Sequence, residues 1–122
     1  MSNATDPDAT DAHPCPPWCD YQLGCHLDEW DIETATGLPI RFHETTVTPA
    51  ADAPVWAYLF AEERIRDGAR QLGAPMVAAG VDEFQDGKPV AGLTAQEART
   101  FAGLLLAAAD LADQLAQERG AA

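Results

Sequence analysis

The chain has 122 residues, 20 of them acidic and only 7 Lys or Arg, which gives a formal net charge of −13. This length predicts a single domain. Nucleic acids and anionic membrane surfaces attract proteins through Lys and Arg, whereas no basic residue precedes Arg41. We therefore expect no nucleic acid and no membrane among its partners, which leaves an unknown protein partner or a homodimer.

The N-terminal residues show no targeting signal. Residues 1–14 lack the basic start and the apolar run of a secretory signal peptide. No stretch reaches the roughly 18 to 20 apolar residues of a membrane span. We expect a cytoplasmic protein, in which metal ligation or free thiols explain the 3 cysteines better than disulfides do. The sequence predicts a disordered acidic tail over residues 1–13 and a single zinc-stabilised α+β domain over residues 14–119.

Residues 14–44 contain the side chains that suggest a metal site. Thiolates and imidazoles from one short, proline-rich segment can complete the tetrahedral shell of a structural Zn²⁺ ion. Pro16 and Pro17 would stiffen the turn between the first two cysteines. The predicted ligand set is Cys15, Cys19, His26 and His43. Cys25 is adjacent to His26 and competes with it as the third ligand.

The same residues have explanations without a metal. Cys15 and Cys19 fit buried, reduced thiols beside Trp18, and His43 fits a strand histidine bonded to Glu44 or to a backbone carbonyl. A redox function of the cysteine pair is disfavoured, because thiol–disulfide motifs space their cysteines as CxxC at a helix start.

Three strand signals follow this segment, and they are rich in branched and aromatic residues. They lie at residues 40–47, 54–60 and 76–81, and the last two predict an antiparallel hairpin. Periodicity leaves open whether residues 61–66 extend the strand or turn into a helix. We predict a loop over residues 67–75 and a turn at residues 86–89.

A long helix is predicted for the C-terminal residues. Thr94 and Glu97 form a capping box, in which each side chain can bond to the backbone amide of the other residue. An apolar stripe at three- and four-residue spacing follows, at Ala98, Phe101, Leu104, Leu105, Ala108, Leu111, Ala112 and Leu115. The stripe either covers the sheet or forms a dimer interface. In a dimer, the small alanines at 107–109 would allow two helices to approach closely. The predicted fold class is α+β, with an irregular zinc-binding N-terminal segment, a small antiparallel β-sheet and one long C-terminal helix packed on it.

Motifs at the two ends of the chain resemble an uncharacterised family of small actinobacterial domains. The N-terminal motifs are Cys15-Pro16-Pro17-Trp18-Cys19, Gly24-Cys25-His26-Leu27-Asp28 and Arg41-Phe42-His43-Glu44, and the C-terminal one is Leu93-Thr94-Ala95-Gln96-Glu97-Ala98-Arg99 with the leucine- and alanine-rich run behind it. The resemblance spans residues 14–115. It implies a Cys/Cys/His/His metal site at Cys15, Cys19, His26 and His43, and it implies no activity.

The favoured function is a non-enzymatic, zinc-stabilised module that acts through protein contacts, because four protein ligands leave no position for a substrate water. One alternative is a zinc hydrolase with a labile ligand, in which Glu29, Glu33 or Glu44 would be the general base. A second alternative is an acidic decoy that occupies a nucleic-acid-binding protein. Its docking would weaken steeply with salt.

Overall fold

The computed structural model describes residues 15–20 and 30–121, with the side chains of the terminal helix described up to residue 118. Within this part of the chain lie small antiparallel sheets and a long C-terminal helix, which confirms the predicted α+β class. The elements are β1 (Asp31–Ile32), β2 (Pro39–Val47), β3 (Val55–Arg66), β4 (Ala69–Leu72), β5 (Met76–Val81), β6 (Phe84–Gln85), β7 (Lys88–Pro89) and α1 (Ala95–Ala121).

Hydrogen bonding orders four of these strands as β1-β2-β3-β4, and β5 also pairs with β3. The described residues fall into two compact units. The first contains the residues up to Thr45 together with residues 60–74, and the second contains residues 46–59 together with the residues from Pro75 onward.

In the first unit, the end of β3 forms a tight hairpin with β4. Arg66 pairs with Ala69 across a two-residue turn, in which Asp67 has φ 54° and Gly68 has φ 77°. Two positive φ values define the turn that fits the twist of a hairpin, and Asp-Gly is a preferred sequence for it. Residues 61–66 are therefore strand, which settles the open alternative. The predicted loop over residues 67–75 is wrong in part, because the turn is short enough to start β4 at Ala69.

In the second unit, β5 runs antiparallel to the beginning of β3. The amide of Asp82 donates to the carbonyl of Pro54 at 2.8 Å. Trp56 lies flat against Gly80, and a Cβ atom at Gly80 would be only 2.5 Å from the indole Cζ2 atom. The predicted hairpin partners at 54–60 and 76–81 are thus confirmed as paired strands, with β4 between them in sequence.

Helix α1 begins with the predicted capping box. The Glu97 amide donates to the Thr94 hydroxyl at 3.1 Å, and the Thr94 amide donates to the Glu97 carboxylate at 2.9 Å. The helix contacts β5 and buries Leu104, Ala108 and Leu115.

The predicted apolar stripe of this helix is buried only in part. Leu104, Ala108 and Leu115 are buried, whereas Ala98 and Leu105 are exposed. Leu105 is one residue beyond the buried Leu104 and is therefore turned from it by about 100° around the helix axis.

Within the described residues, no helix is both long enough and apolar enough to cross a membrane.

Candidate metal centre

The cysteine segment forms a tight turn of its own. The amide of Cys19 donates to the carbonyl of Pro16 at 3.0 Å, so that residues 16–19 close as a β-turn with Pro17 at its second position. Proline is favoured there because its ring fixes φ near −65°. The turn brings the thiol of Cys19 back toward that of Cys15.

Two further hydrogen bonds fasten this turn to β2. The amide of Asp20 donates to the carbonyl of Glu44 at 2.8 Å. The hydroxyl of Thr45 donates to the Asp20 carboxylate at 2.9 Å. Since Glu44 follows His43 on the strand, the turn lies directly beside the histidine. Trp18 packs edge-on against the His43 ring, with the ring centroids 6.3 Å apart and the planes at 76°.

Cys15, Cys19 and His43 bring their donor atoms together. One donor atom from each lies within 4.8 Å of the others. Cys19 and His43 are fully buried and Cys15 is half-buried. In a tetrahedral zinc site, Zn–S bonds of about 2.3 Å place two sulfur atoms about 3.8 Å apart. The three side chains therefore need only small movements to share one ion.

A buried carboxylate lies behind the histidine. The Nε2 atom of His43 is 2.6 Å from the Oε1 atom of Glu63, and neither side chain is exposed to solvent. Metal-ligating histidines almost always donate their second ring N–H to such an acceptor, which orients the ring and makes it a stronger ligand. With Nε2 bonded to Glu63, coordination would use Nδ1, which is also buried.

Two arginines compensate the charge of this carboxylate. Arg41 Nε donates to Glu63 Oε1 at 2.7 Å, and Arg70 forms an ion pair with Oε2 of the same residue. Burial raises the pKa of Glu63, but hydrogen bonds from His43 and Arg41 outweigh it and hold the pKa below its ordinary value. The guanidinium of Arg41 also lies 4.4 Å from the ring centroid of Trp30, at cation–π distance. Glu63 is therefore ionised at neutral pH.

The electrostatics of the cysteines differ from those of a reactive thiol. Burial, together with the neighbouring Cys19, raises the pKa of Cys15 to about 11. Nucleophilic cysteines instead have lowered pKa values and accessible sulfur atoms. In the absence of a metal both conditions fail here, because Cys15 stays protonated at neutral pH and Cys19 is fully buried. A bound cation would displace the protons.

Three of the four predicted ligands are thus brought together. His26 and its competitor Cys25 lie outside the described residues, as does the predicted tail over residues 1–13. The four-ligand set accordingly stays a prediction.

The sequence analysis missed Glu63. The sequence does contain a sign of its burial, because every second residue of β3 is apolar and buried, and Glu63 occupies one of these alternate positions. The apolar residues are Val55, Ala57, Leu59, Ala61 and Ile65. A carboxylate in an otherwise apolar strand face requires a partner inside the protein. The alternation does not identify Glu63 from the sequence alone, because residues 61–66 are equally compatible with a helix.

The carboxylates that had been considered as general bases are placed differently. Glu33 is held by a bidentate pair with Arg64, at 2.8 Å from Nε and 2.5 Å from Nη2. Glu44 contributes its backbone carbonyl to the turn. Glu29 lies outside the described residues.

The fold and the site define a small α+β protein with a candidate Cys/Cys/His metal centre supported by a buried carboxylate. The chain belongs to the family described as Domain of unknown function (DUF6907), whose model matches residues 1–121. Comparisons with curated proteins and with solved structures each gave no significant match.

Proposed function

We propose that this protein is a small, cytoplasmic, non-enzymatic zinc-binding module that serves in protein interaction or regulation. The observation that carries the proposal is the buried group of Cys15, Cys19 and His43, with Glu63 bonded to the histidine. Soft sulfur and nitrogen donors select Zn²⁺ over the hard cations Mg²⁺ and Ca²⁺, which prefer oxygen. When bound, the ion would cross-link the cysteine turn to β2.

The fourth ligand in this proposal is His26, and Cys25 is the alternative. A fourth protein ligand would close the shell, which is the property of structural rather than catalytic zinc sites. A metal would add a cross-link to the hydrogen bonds that hold the turn of residues 16–19. Site formation and folding are coupled in such metal-binding segments.

A cysteine-based enzyme is the second candidate, since His43 lies between thiols and the Glu63 carboxylate. This is the order of nucleophile, base and orienting acid in a catalytic triad. The raised pKa of Cys15 and the complete burial of Cys19 oppose catalysis. We therefore favour the structural metal site.

Elemental analysis of freshly purified protein tests the proposal. We expect one zinc per chain, with Cys19→Ser losing it and Cys15→Ser weakening it. Cys25→Ser and His26→Ala form a matched pair, of which only His26→Ala should abolish zinc binding.

Removal of zinc by a chelator should unfold the N-terminal segment, which tryptophan fluorescence would follow. The helical circular dichroism signal of α1 should remain unchanged.

Three results would contradict the proposal. Protein without stoichiometric metal that is nevertheless folded around Cys15, Cys19 and His43 would exclude a structural zinc. A zinc that leaves with no change in the N-terminal segment, and that carries a coordinated water, would indicate a catalytic ion instead. Rapid alkylation of Cys15 in the zinc-loaded protein would support the cysteine enzyme.

A further inference from the structure

The two cysteines of the candidate metal centre are also close enough to react with each other. The Sγ atoms of Cys15 and Cys19 lie within 4.8 Å, and both residues are free thiols in the structure. A disulfide shortens this separation to about 2.05 Å. The turn of residues 16–19, closed by the hydrogen bond from Cys19 to Pro16, keeps the two ends of the segment together. The spacing of the cysteines argues against a catalyst of disulfide exchange, but a regulatory disulfide requires only that the two sulfur atoms can meet.

The two cysteines differ in their access to solvent. Cys15 is half-buried, whereas Cys19 has no exposed surface. Redox-sensing pairs commonly combine an accessible cysteine, which the oxidant reaches, with a neighbouring cysteine that resolves the first product. Here Cys15 occupies the first position and Cys19 the second.

Zinc coordination and a disulfide exclude each other at these two residues. The thiolate is the form of cysteine that binds a metal, and a disulfide contains no thiolate. Oxidation would therefore remove two ligands of the ion at once. His43 and one further ligand would remain, which are too few for the tetrahedral shell of a structural zinc.

A bound ion also supplies the reactive form of the cysteines. Coordination keeps both sulfur atoms deprotonated, and the thiolate is the form that attacks an oxidant. Because the ion withdraws electron density from the sulfur atoms, we expect this attack to be slow and to need an excess of oxidant. The slow reaction distinguishes a zinc-bound thiolate from the activated thiolate of a cysteine enzyme.

We infer that Cys15 and Cys19 form a redox switch, which releases zinc when hydrogen peroxide oxidises them to a disulfide. The inference rests on the proposed zinc site. The Cys15 thiolate attacks one oxygen of the peroxide, the O–O bond breaks, hydroxide leaves, and Cys15 becomes a sulfenic acid. The Cys19 thiolate then attacks the Cys15 sulfur, and a second hydroxide leaves as the S–O bond breaks and the S–S bond forms. The two thiolates have given up two electrons, and two protons from solvent convert both hydroxides to water.

The switch changes what the cysteine turn is fastened to. Zinc would link this turn to β2 through His43, whereas a disulfide links the two cysteines only to each other. The hydrogen bonds of Asp20 to β2 remain in both states. The ring of Trp18 packs against His43 at this junction, so its fluorescence should report the loss of the cross-link.

Zinc release and intact mass test the inference, on the full-length protein loaded with one zinc per chain. Excess hydrogen peroxide should release all of the zinc to a chromophoric chelator and should remove two hydrogen atoms from the intact mass. Peptide mapping should find Cys15 joined to Cys19, and the tryptophan emission should shift. Dithiothreitol followed by zinc should restore the starting protein through disulfide exchange. Cys25→Ser is the matched control, because it removes the third cysteine of the chain and should leave release, mapping and recovery unchanged.

The outcomes separate this inference from the zinc proposal on which it rests. Reduced protein that binds no zinc would refute the zinc proposal, and the switch with it. Zinc-loaded protein that keeps its ion under excess peroxide would overturn the switch alone. Release accompanied by sulfinic acid, which dithiothreitol does not reverse, would be oxidative damage and would likewise overturn it. A disulfide that includes Cys25, together with a Cys25→Ser variant that no longer responds, would overturn the assignment to Cys15 and Cys19.

Discussion

At the scale of single residues, the carboxylate of Glu63 organises the interior of the first compact unit. Its two oxygens contact His43, Arg41 and Arg70, and its side chain has no exposed area. A buried charge is tolerated only when its partners are in place, and removal of one partner costs far more than the intact group contributes. The same carboxylate is the acceptor that would orient a metal-ligating His43.

We predict that Glu63→Gln lowers both stability and metal affinity. The amide is neutral, so Arg41 loses its buried counter-ion, and the free energy of unfolding should fall by about 3 kcal/mol. Zinc affinity should fall about 10- to 100-fold, because the ring of His43 loses its anionic acceptor. Urea denaturation and competition with a chromophoric chelator measure the two effects.

Glu62→Gln is the matched control for this substitution. Glu62 is the adjacent residue on β3, it is 42% exposed, and it pairs with Arg64 at 3.0 Å. Exposed pairs contribute about 0 to 1 kcal/mol, so this variant should resemble wild type in both measurements. Equal zinc affinity for Glu63→Gln and wild type would show that the carboxylate does not support the metal ligand.

At the scale of elements, the pairing of β3 with β5 depends on the absence of a side chain at Gly80. Trp56 occupies the space that a Cβ atom would take, and it stacks on Tyr58 with ring centroids 5.8 Å apart and planes at 16°. Glycine within a strand often marks such a close approach. The indole covers the main chain of the neighbouring strand although it is itself 40% exposed.

We predict that Gly80→Ala destabilises the protein although alanine is the smallest possible addition. The indole of Trp56 must move to avoid the new Cβ atom, and its stacking on Tyr58 is disturbed. Overpacking of this kind costs about 1 to 3 kcal/mol. Thermal unfolding and the tryptophan emission maximum measure the change.

Gly103→Ala makes the same chemical change, but we expect it to raise the stability of the protein rather than lower it. Gly103 lies in the middle of α1, and a Cβ atom there meets nothing within 4 Å. Alanine has the higher helix propensity by about 1 kcal/mol, so this variant should be more stable than wild type. If Gly80→Ala were as stable as Gly103→Ala, the close contact with Trp56 would be refuted.

At the scale of the whole molecule, the net charge of −13 governs which partners can approach. Nucleic-acid binding gains its free energy largely from counterions that Lys and Arg release from phosphates. Among the arginines, Arg41, Arg64 and Arg70 already pair with carboxylates of this chain. The remaining cations are too few to form a basic surface.

We predict no measurable binding of DNA or RNA at physiological salt. A fluorescence-anisotropy titration with labelled single- and double-stranded oligonucleotides checks this, and the zinc-loaded protein should be used. A tight complex at about 0.15 M salt, where charges beyond about 8 Å are screened, would contradict the expectation. The low-salt titration serves as the control for weak, non-specific attraction.

The sequence by itself determined the features that depend on local chemistry. Thr94 and Glu97 are neighbours on one helical turn, so the start of α1 could be predicted without knowledge of the rest. The α+β class and the strands around residues 40–47, 54–60 and 76–81 followed in the same way from residue preferences and alternation. Cys15, Cys19 and His43 were recognisable as a group from their donor chemistry alone.

Only the tertiary structure decided the features that depend on contacts between distant segments. Glu63 lies 20 residues beyond His43, and their contact exists because β3 lies beside β2 in the sheet. Residues 61–66 are extended because the end of β3 pairs with β4. Local residue propensity carries no information about such a pairing partner. The exposure of Leu105 likewise depends on which neighbours cover it, because burial is a property of the packed molecule rather than of the residue.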